Sequence, residues 1–368
     1  MALTIVHCAD IHLATTFPEL RGGSVRRAAL AAGFSRIIDL ARERAADVLT
    51  IGGDLYESER AGPQTARFLF EEFERFGKPV YIAPGNHDPY APGALLARAD
   101  LPANVRVCNE AGWRAFPLAG DVTLFGFAHT PAEPGRPFER AQFDRAGVCI
   151  ALVHGSDEDR CPPNKRATAP FTLAEARRAG AALVLAGHYH GGYVVGDGVT
   201  QLAYPGSPEP IKFGERGNHG VLVVRIEGDS VEVTPIETAR TRLLDVGCDL
   251  GGAAHEPAVL GRIGKALAEC TRDDFVRLRL TGAVERGTRI DPATIDAKFG
   301  STVGALAIDD ATIQYDFAAC AAEPTVRGRV TRELLAAAQG ADARSAGIAA
   351  AALRYALAAF EANAEIVP

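Results

Sequence analysis

Five short polar clusters collect the side chains that hold divalent cations: Asp10-Ile11-His12, Gly53-Asp54, Gly85-Asn86-His87-Asp88, His154 and Gly187-His188-Tyr189-His190. Carboxylate, imidazole and amide-oxygen donors in this number fit two adjacent ions, and mixed oxygen and nitrogen ligation suits Mn, Fe, Zn or Co better than a soft thiolate site would. Two cations roughly 3.5–4 Å apart can neutralise a phosphate ester, generate a nucleophile from water at neutral pH and stabilise the leaving oxygen. Asp54, alone at the end of its strand, is the expected bridging carboxylate. Asp10, His12 and His190 are expected around one ion, and Asn86, His154 and His188 around the other. His87, beside Asn86, is expected to contact the phosphate and protonate the leaving oxygen, with Asp88 as its orienting partner. Taken singly, an Asp-x-His or a Gly-Asn-His-Asp is an ordinary turn or capped strand end. Five in order, each behind an apolar strand, point to a metal centre. His7, His129, His219 and His255 belong to no ligand cluster and are expected as surface or satisfied core residues. His219 imitates Gly-Asn-His without a preceding apolar strand, whereas His129 closes one and could border the cleft.

The clusters follow β-prone runs at residues 3–6, 48–51, 80–83, 148–153 and 182–186, so each sits where a buried strand ends. Ligands of α/β sheets bind at such ends. In an extended segment residues two apart point the same way, which would aim Asp10 with His12, and His188 with His190. Apolar residues at helical spacing over 21–46, 64–76 and 173–179 alternate with these strands, the pattern of an α/β sandwich. Further strands are expected at 105–107, 122–127, 193–195, 220–226 and 231–235. Beyond Arg242 the metal-type clusters stop, and strands at 243–246, 275–280 and 313–317 with helices at 257–270 and 292–299 make a smaller α+β unit. An Ala-rich helical tail over 330–364, interrupted at Gly340, ends the chain.

A chain of 368 residues with 47% hydrophobic and 23% charged side chains has ordinary globular composition and length for two domains. It holds no run of the ~18 uncharged apolar residues a membrane helix needs, and a cytoplasmic location is expected. Seven scattered cysteines without a CxxC pair argue against a disulfide framework or a zinc ribbon. A net charge of -7 does not advertise a nucleic-acid partner, since dedicated binders usually carry a basic excess, so any DNA affinity must come from a local patch.

The segments HCADIHL, IGGDLYES, APGNHDP, LVHGS and LAGHYH, taken as an ordered set, resemble the calcineurin-like metallophosphoesterases. The later block from Tyr204-Pro205-Gly206-Ser207-Pro208 through Phe213-Gly214-Glu215 to the strand at 220–224 is similar to the SbcD-like DNA-repair exonucleases, YhaO-type branch. The resemblance covers residues 3–240 and implies a four-layer α/β/β/α metallophosphoesterase sandwich over 1–238, a smaller α+β capping domain over 239–325 and a helical C-terminal tail over 326–368. It implies the same ligands (Asp10, His12, Asp54, Asn86, His154, His188, His190), His87 as the catalytic histidine, and two divalent metal ions, manganese first, with Fe, Zn, Co or Mg as alternatives. Glu57 stands where some members carry a histidine. The implied partners are DNA, an SMC-like ATPase bound through the tail, and a second copy of the chain, with no membrane. Candidate phosphate-binding groups are Arg21, Arg26 and Arg27, the set Arg160, Lys165 and Arg166, and the pair Lys212 and Arg216. The leading expectation is a two-metal DNA exonuclease that can also cut endonucleolytically. A small-substrate phosphodiesterase acting on cyclic nucleotides, and a DNA-end scaffold for an ATPase with weak chemistry, stay open beside it.

Overall fold

β-branched and aliphatic runs become strands, and the loops behind them become the site. The computed structural model describes residues 2–17, 23–110, 112–132, 134–144, 146–161, 167–215, 217–285, 287–340 and 343–364. The chain divides into two units between Leu243 and Leu244. In chain order the first unit contains β1 (Leu3–Cys8), α1 (Gly23–Glu43), β2 (Val48–Ile51), α2 (Pro63–Phe76), β3 (Val80–Ile82), β4 (Val105–Val107), β5 (Trp113–Pro117) and β6 (Val122–Phe127). It continues with β7 (Val148–His154), α3 (Leu173–Arg178), β8 (Leu183–Gly187), β9 (Tyr193–Gly196), β10 (Gln201–Tyr204), β11 (Gly220–Glu227) and β12 (Ser230–Glu237).

These strands form two six-stranded sheets, ordered β12-β11-β1-β2-β3-β4 and β5-β6-β7-β8-β10-β9. β1 to β4 run parallel in the first, and β6, β7, β8 and β10 in the second. Parallel neighbours share an end, so the loops that follow β1, β2, β3, β7 and β8 gather on the carboxyl edges. Ile5 and Leu222 from the first sheet and Leu124, Ile150 and Leu183 from the second belong to one buried core between the layers. The outer face of the first sheet is covered by Phe34, Ile37 and Ile38 of α1 and Leu69 and Phe73 of α2, all fully buried. Facing the second sheet, α3 is only six residues long, started by a Thr172/Glu175 capping box. Phe138, Phe143 and Phe171, with Trp113 packed on them, supply the rest of that layer. The four-layer α/β/β/α arrangement is therefore present, with its fourth layer built largely from aromatic loops.

The second unit holds β13 (Arg242–Asp249), α4 (Glu256–Ala266), β14 (Asp274–Thr281), β15 (Ala283–Glu285), α5 (Pro292–Phe299), β16 (Ala305–Asp310), β17 (Ile313–Tyr315), α6 (Phe317–Ala322), α7 (Val326–Gly340) and α8 (Ala343–Ala364). A three-stranded sheet, β13-β14-β16, packs Leu278 and Leu280 with Val259 and Ile263 of α4. Leu353 and Leu357 of α8 are buried with Ala283, Tyr315 and Cys320, so the described part of the tail shares a core with this unit. Among the described residues no helix is long and apolar enough to cross a membrane.

Candidate metal centre

The loops after β1 and β2 stay in step beyond their strands: Asp10 N donates to Gly53 O at 3.0 Å, and His12 N to Asp54 O at 2.9 Å. Asp10, His12, Asp54 and His188 have φ values of 55°, 51°, 51° and 107°, a region L-residues adopt sparingly and at a cost of order 1–3 kcal/mol. The expected alternation of an extended chain is therefore not what aims Asp10 with His12, or His188 with His190; left-handed turns do. Close approach helps. A Cβ on Gly85 would lie 2.3 Å from Asp54 Oδ1, so only glycine lets the β2 and β3 loops meet. The β8 loop is tied in by His188 N, which donates to both Asp10 carboxylate oxygens at 3.1 and 3.0 Å.

Asp54 Oδ2 lies 3.3 Å from His154 Nε2 and 3.7 Å from His12 Nε2, while its Oδ1 accepts from His87 N at 2.8 Å. Three imidazoles are oriented from behind. His12 Nδ1 donates to Glu57 Oε1 at 2.8 Å, His190 Nδ1 to Glu215 Oε1 at 2.5 Å and His154 Nδ1 to Gly52 O at 2.8 Å. Each ring thus turns its Nε2 toward the centre. Those of His12 and His190 face each other at 3.2 Å, and that of His154 sits 3.0 Å from Asn86 Oδ1. Imidazole nitrogens and an amide oxygen gathered around carboxylates 0% and 2% exposed are a donor set for cations, and the backing hydrogen bonds are those that metal-binding histidines use. Asp10, His12 and His190 converge within 4.8 Å, as do Asp10, Asp54 and His154, and the His188 ring stands edge-on to His154 at 5.2 Å. Burial by itself would discharge His154, but the Asp54 carboxylate outweighs it and lifts the ring to about 9; a cation at Nε2 would take the place of that proton. The residues therefore fit a pair of divalent ions.

Glu57 has a role that its place in the sequence does not declare. It accepts from His12 Nδ1 and also from His87 Nδ1 at 2.9 Å. Burial alone would raise its carboxyl, yet the hydrogen bonds to the two histidines hold it well below the usual carboxylate range. The bond to Glu57 in turn raises His87, whose side chain is 42% exposed at the lip of the site. Asp88, expected to orient His87, does something else. Its fully buried carboxylate accepts Gly85 N at 2.7 Å, Asp54 N at 3.0 Å and Leu55 N at 2.8 Å, stapling the β2 and β3 loops.

Of the candidate phosphate-binding groups, Lys212 lines the site cavity of about 590 Å³, together with Asp54, Asn86, His87 and His188. Arg160 pairs with buried Asp157 at 2.9 Å and lies over the Tyr193 ring, outside that lining. Arg26 is wholly buried against Glu209 and Thr241 and cannot reach a ligand, a correction explained by its ion pair. Arg27 lines a separate groove with Arg60 and Phe68. Arg21, Lys165, Arg166 and Arg216 lie outside the described residues. His7 is buried on Thr50 and Ala186, His219 bonds Ser207, His255 caps α4, and His129 is buried with Nε2 2.7 Å from His154 O.

A family model described as calcineurin-like phosphoesterase matches residues 3–192, a span that contains every expected ligand. The chain is 27% identical over 295 residues to a DNA double-strand break repair protein Mre11 from Methanopyrus kandleri, covering 71% of this chain and 62% of that protein. It thus spans less than two thirds of that relative. A protein of the same name from Aeropyrum pernix is 23% identical over 326 residues, covering 82% of this chain and 77% of its own. Among solved structures, TT1561 of Thermus thermophilus is 12% identical with a TM-score of 0.40, over 64% of this chain and 99% of that one.

Proposed function

The chain belongs to the calcineurin-like phosphoesterase family, and on that premise we propose that it is a DNA exonuclease hydrolysing phosphodiester bonds in DNA repair, with endonuclease cleavage as a further capacity. The observation that carries the reading is the convergence of the Nε2 atoms of His12, His154 and His190 on Asp54, Asn86 and one another. Ions held by Asp10, His12 and His190 on one side and Asn86, His154 and His188 on the other, with Asp54 shared, would supply Lewis-acid charge for activating water and stabilising the leaving oxygen.

The chain's own groups do the rest. His87, whose hold on its proton the Glu57 hydrogen bond strengthens, delivers a proton to the leaving oxygen as its bond to phosphorus breaks, and the attacking water releases its proton to solvent. Lys212 pairs with a phosphoryl oxygen from the cavity wall. Asp10 fixes the His188 backbone, and Asp88 fixes that of Asp54, so the ligands are in place before substrate arrives. DNA as substrate is supported by the two archaeal relatives, whose match takes in a larger share of the chain than the first unit makes up. Manganese is the proposed metal, with Fe, Zn, Co or Mg as alternatives. An SMC-like ATPase docked through the helical tail and a second copy of the chain are the proposed partners.

The test is manganese-dependent cleavage of end-labelled duplex and single-stranded DNA beside a chromogenic phosphodiester, with wild type and His87→Ala. Progressive shortening of DNA, lost in the variant at unchanged metal content, is expected. Hydrolysis of the small diester alone would overturn the nuclease reading in favour of a small-substrate phosphodiesterase.

A further inference from the structure

A second cavity of about 620 Å³ adjoins the metal centre, and Asn86 lines both. Its size falls within the roughly 300–1,000 Å³ of small-ligand pockets. Its lining includes Pro89, Pro131, Pro134 and Pro170, with His129 and Thr130 among them. Proline rings are rigid and carry no N–H, and His129 is held by its Nε2 contact to the carbonyl of His154, its ring edge-on to the His154 ring at 5.5 Å. The guanidinium in the lining, Arg136, is committed: it meets Glu158 at 2.9 and 2.6 Å and Glu175 at 2.9 Å. Two carboxylates against one guanidinium leave this wall unattractive to a phosphate, whereas the stiff apolar faces of the prolines suit a planar uncharged ring.

We propose that this cavity is a nucleoside subsite: with the reacting phosphate over the metal centre at Asn86, one substituent of the diester places its base among the prolines and His129. The inference rests on the phosphodiesterase reading and adds what that reading lacks, a reason for the site to prefer a nucleotide over a bare phosphate ester. A phosphodiester has two arms, and two cavities meeting at Asn86 give each arm a place.

The experiment is calorimetric titration of the full, manganese-loaded chain with deoxyadenosine 5′-monophosphate and, separately, with methyl phosphate, for wild type, Thr130→Phe and Thr168→Phe. Both positions line the cavity and lie on different segments, and a phenyl ring there occupies the space of the base. Wild type is expected to bind the nucleotide about tenfold or more tightly than methyl phosphate, as one stacked base allows. The variants should lose that preference while methyl phosphate affinity stays as in wild type, which also shows that the metal centre is intact. A wild type with no preference, or variants that keep it, would overturn the subsite. DNA cleavage by the same three proteins separates the two ideas. No DNA cleavage with an intact nucleotide preference sinks the nuclease reading and leaves the subsite standing; full cleavage by variants that also keep the preference does the reverse.

Discussion

Glu57 is one carboxylate serving two imidazoles, 2.8 Å from His12 and 2.9 Å from His87. Glu57→Gln keeps a single acceptor oxygen and turns an amide N–H toward the other ring. Turnover is therefore expected to fall by roughly 10–100-fold, with weaker metal affinity, the usual loss when a ligand's hydrogen-bond partner is removed. Steady-state rates and manganese titration check this; wild-type values in both would mean Glu57 orients neither ring. Asp88→Asn acts differently, because three backbone N–H groups converge on a side chain that then offers one acceptor. It should cost about 1–3 kcal/mol of stability in denaturant melts, the penalty of an unmet buried donor. A large loss of turnover at unchanged stability would instead restore Asp88 to the chemistry. The side chains that converge on the centre were legible in the sequence because residue types able to bind metal are few and their clustering is improbable by chance. Glu57 and Glu215 were not assigned as partners of His12 and His190, since a glutamate in a loop declares nothing until the fold sets it behind a particular ring.

At the level of elements, β-branched strands such as Val48–Ile51 and Val122–Phe127 were readable to the residue, and helix α5 likewise. Gln201–Tyr204 and Ala305–Asp310 were missed because QLAY and ALAIDD carry little β-propensity and become strands through their neighbours. Backbone handedness at Asp10 and His188 has no composition signal either. His7 shows what strand packing does to a side chain. It bonds Thr50 of β2 within its own sheet and reaches Ala186 of β8 in the other, and burial lowers it to about 4 from 6.5. Above pH 6.5 the ring is neutral both folded and unfolded and contributes nothing. As pH falls from 6.5 to 4 the unfolded chain takes up a proton that the folded chain refuses, so stability is lost across that window, by roughly 3 kcal/mol in all. Denaturant melts with chelator at about pH 7 and pH 4.5 should show a smaller drop for His7→Gln than for wild type. Equal drops would assign the acid sensitivity elsewhere.

On the scale of the molecule, Glu209 is the buried joint of the first unit. It is 1% exposed, ion-paired with Arg26 and Arg36 of α1, and accepts the backbone N–H of Arg240 at 2.9 Å and of Thr241 at 3.2 Å. Arg26 also donates to the Thr241 hydroxyl and the Pro210 carbonyl. Breaking a buried pair by removing one partner costs about 3–5 kcal/mol, so Glu209→Ala should lower the melting transition of the first unit markedly, as followed by calorimetry. A variant melting like wild type would mean that solvent reaches the pair. For anyone who wishes to study the catalytic half alone, the same carboxylate dictates where to cut. Truncation after residue 238, just past the last strand of the sheet, discards Arg240 and Thr241, so Glu209 loses two backbone donors and Arg26 loses the Thr241 hydroxyl. Truncation after Leu243 keeps these donors to Glu209, and this longer fragment is the one that should purify folded and load metal.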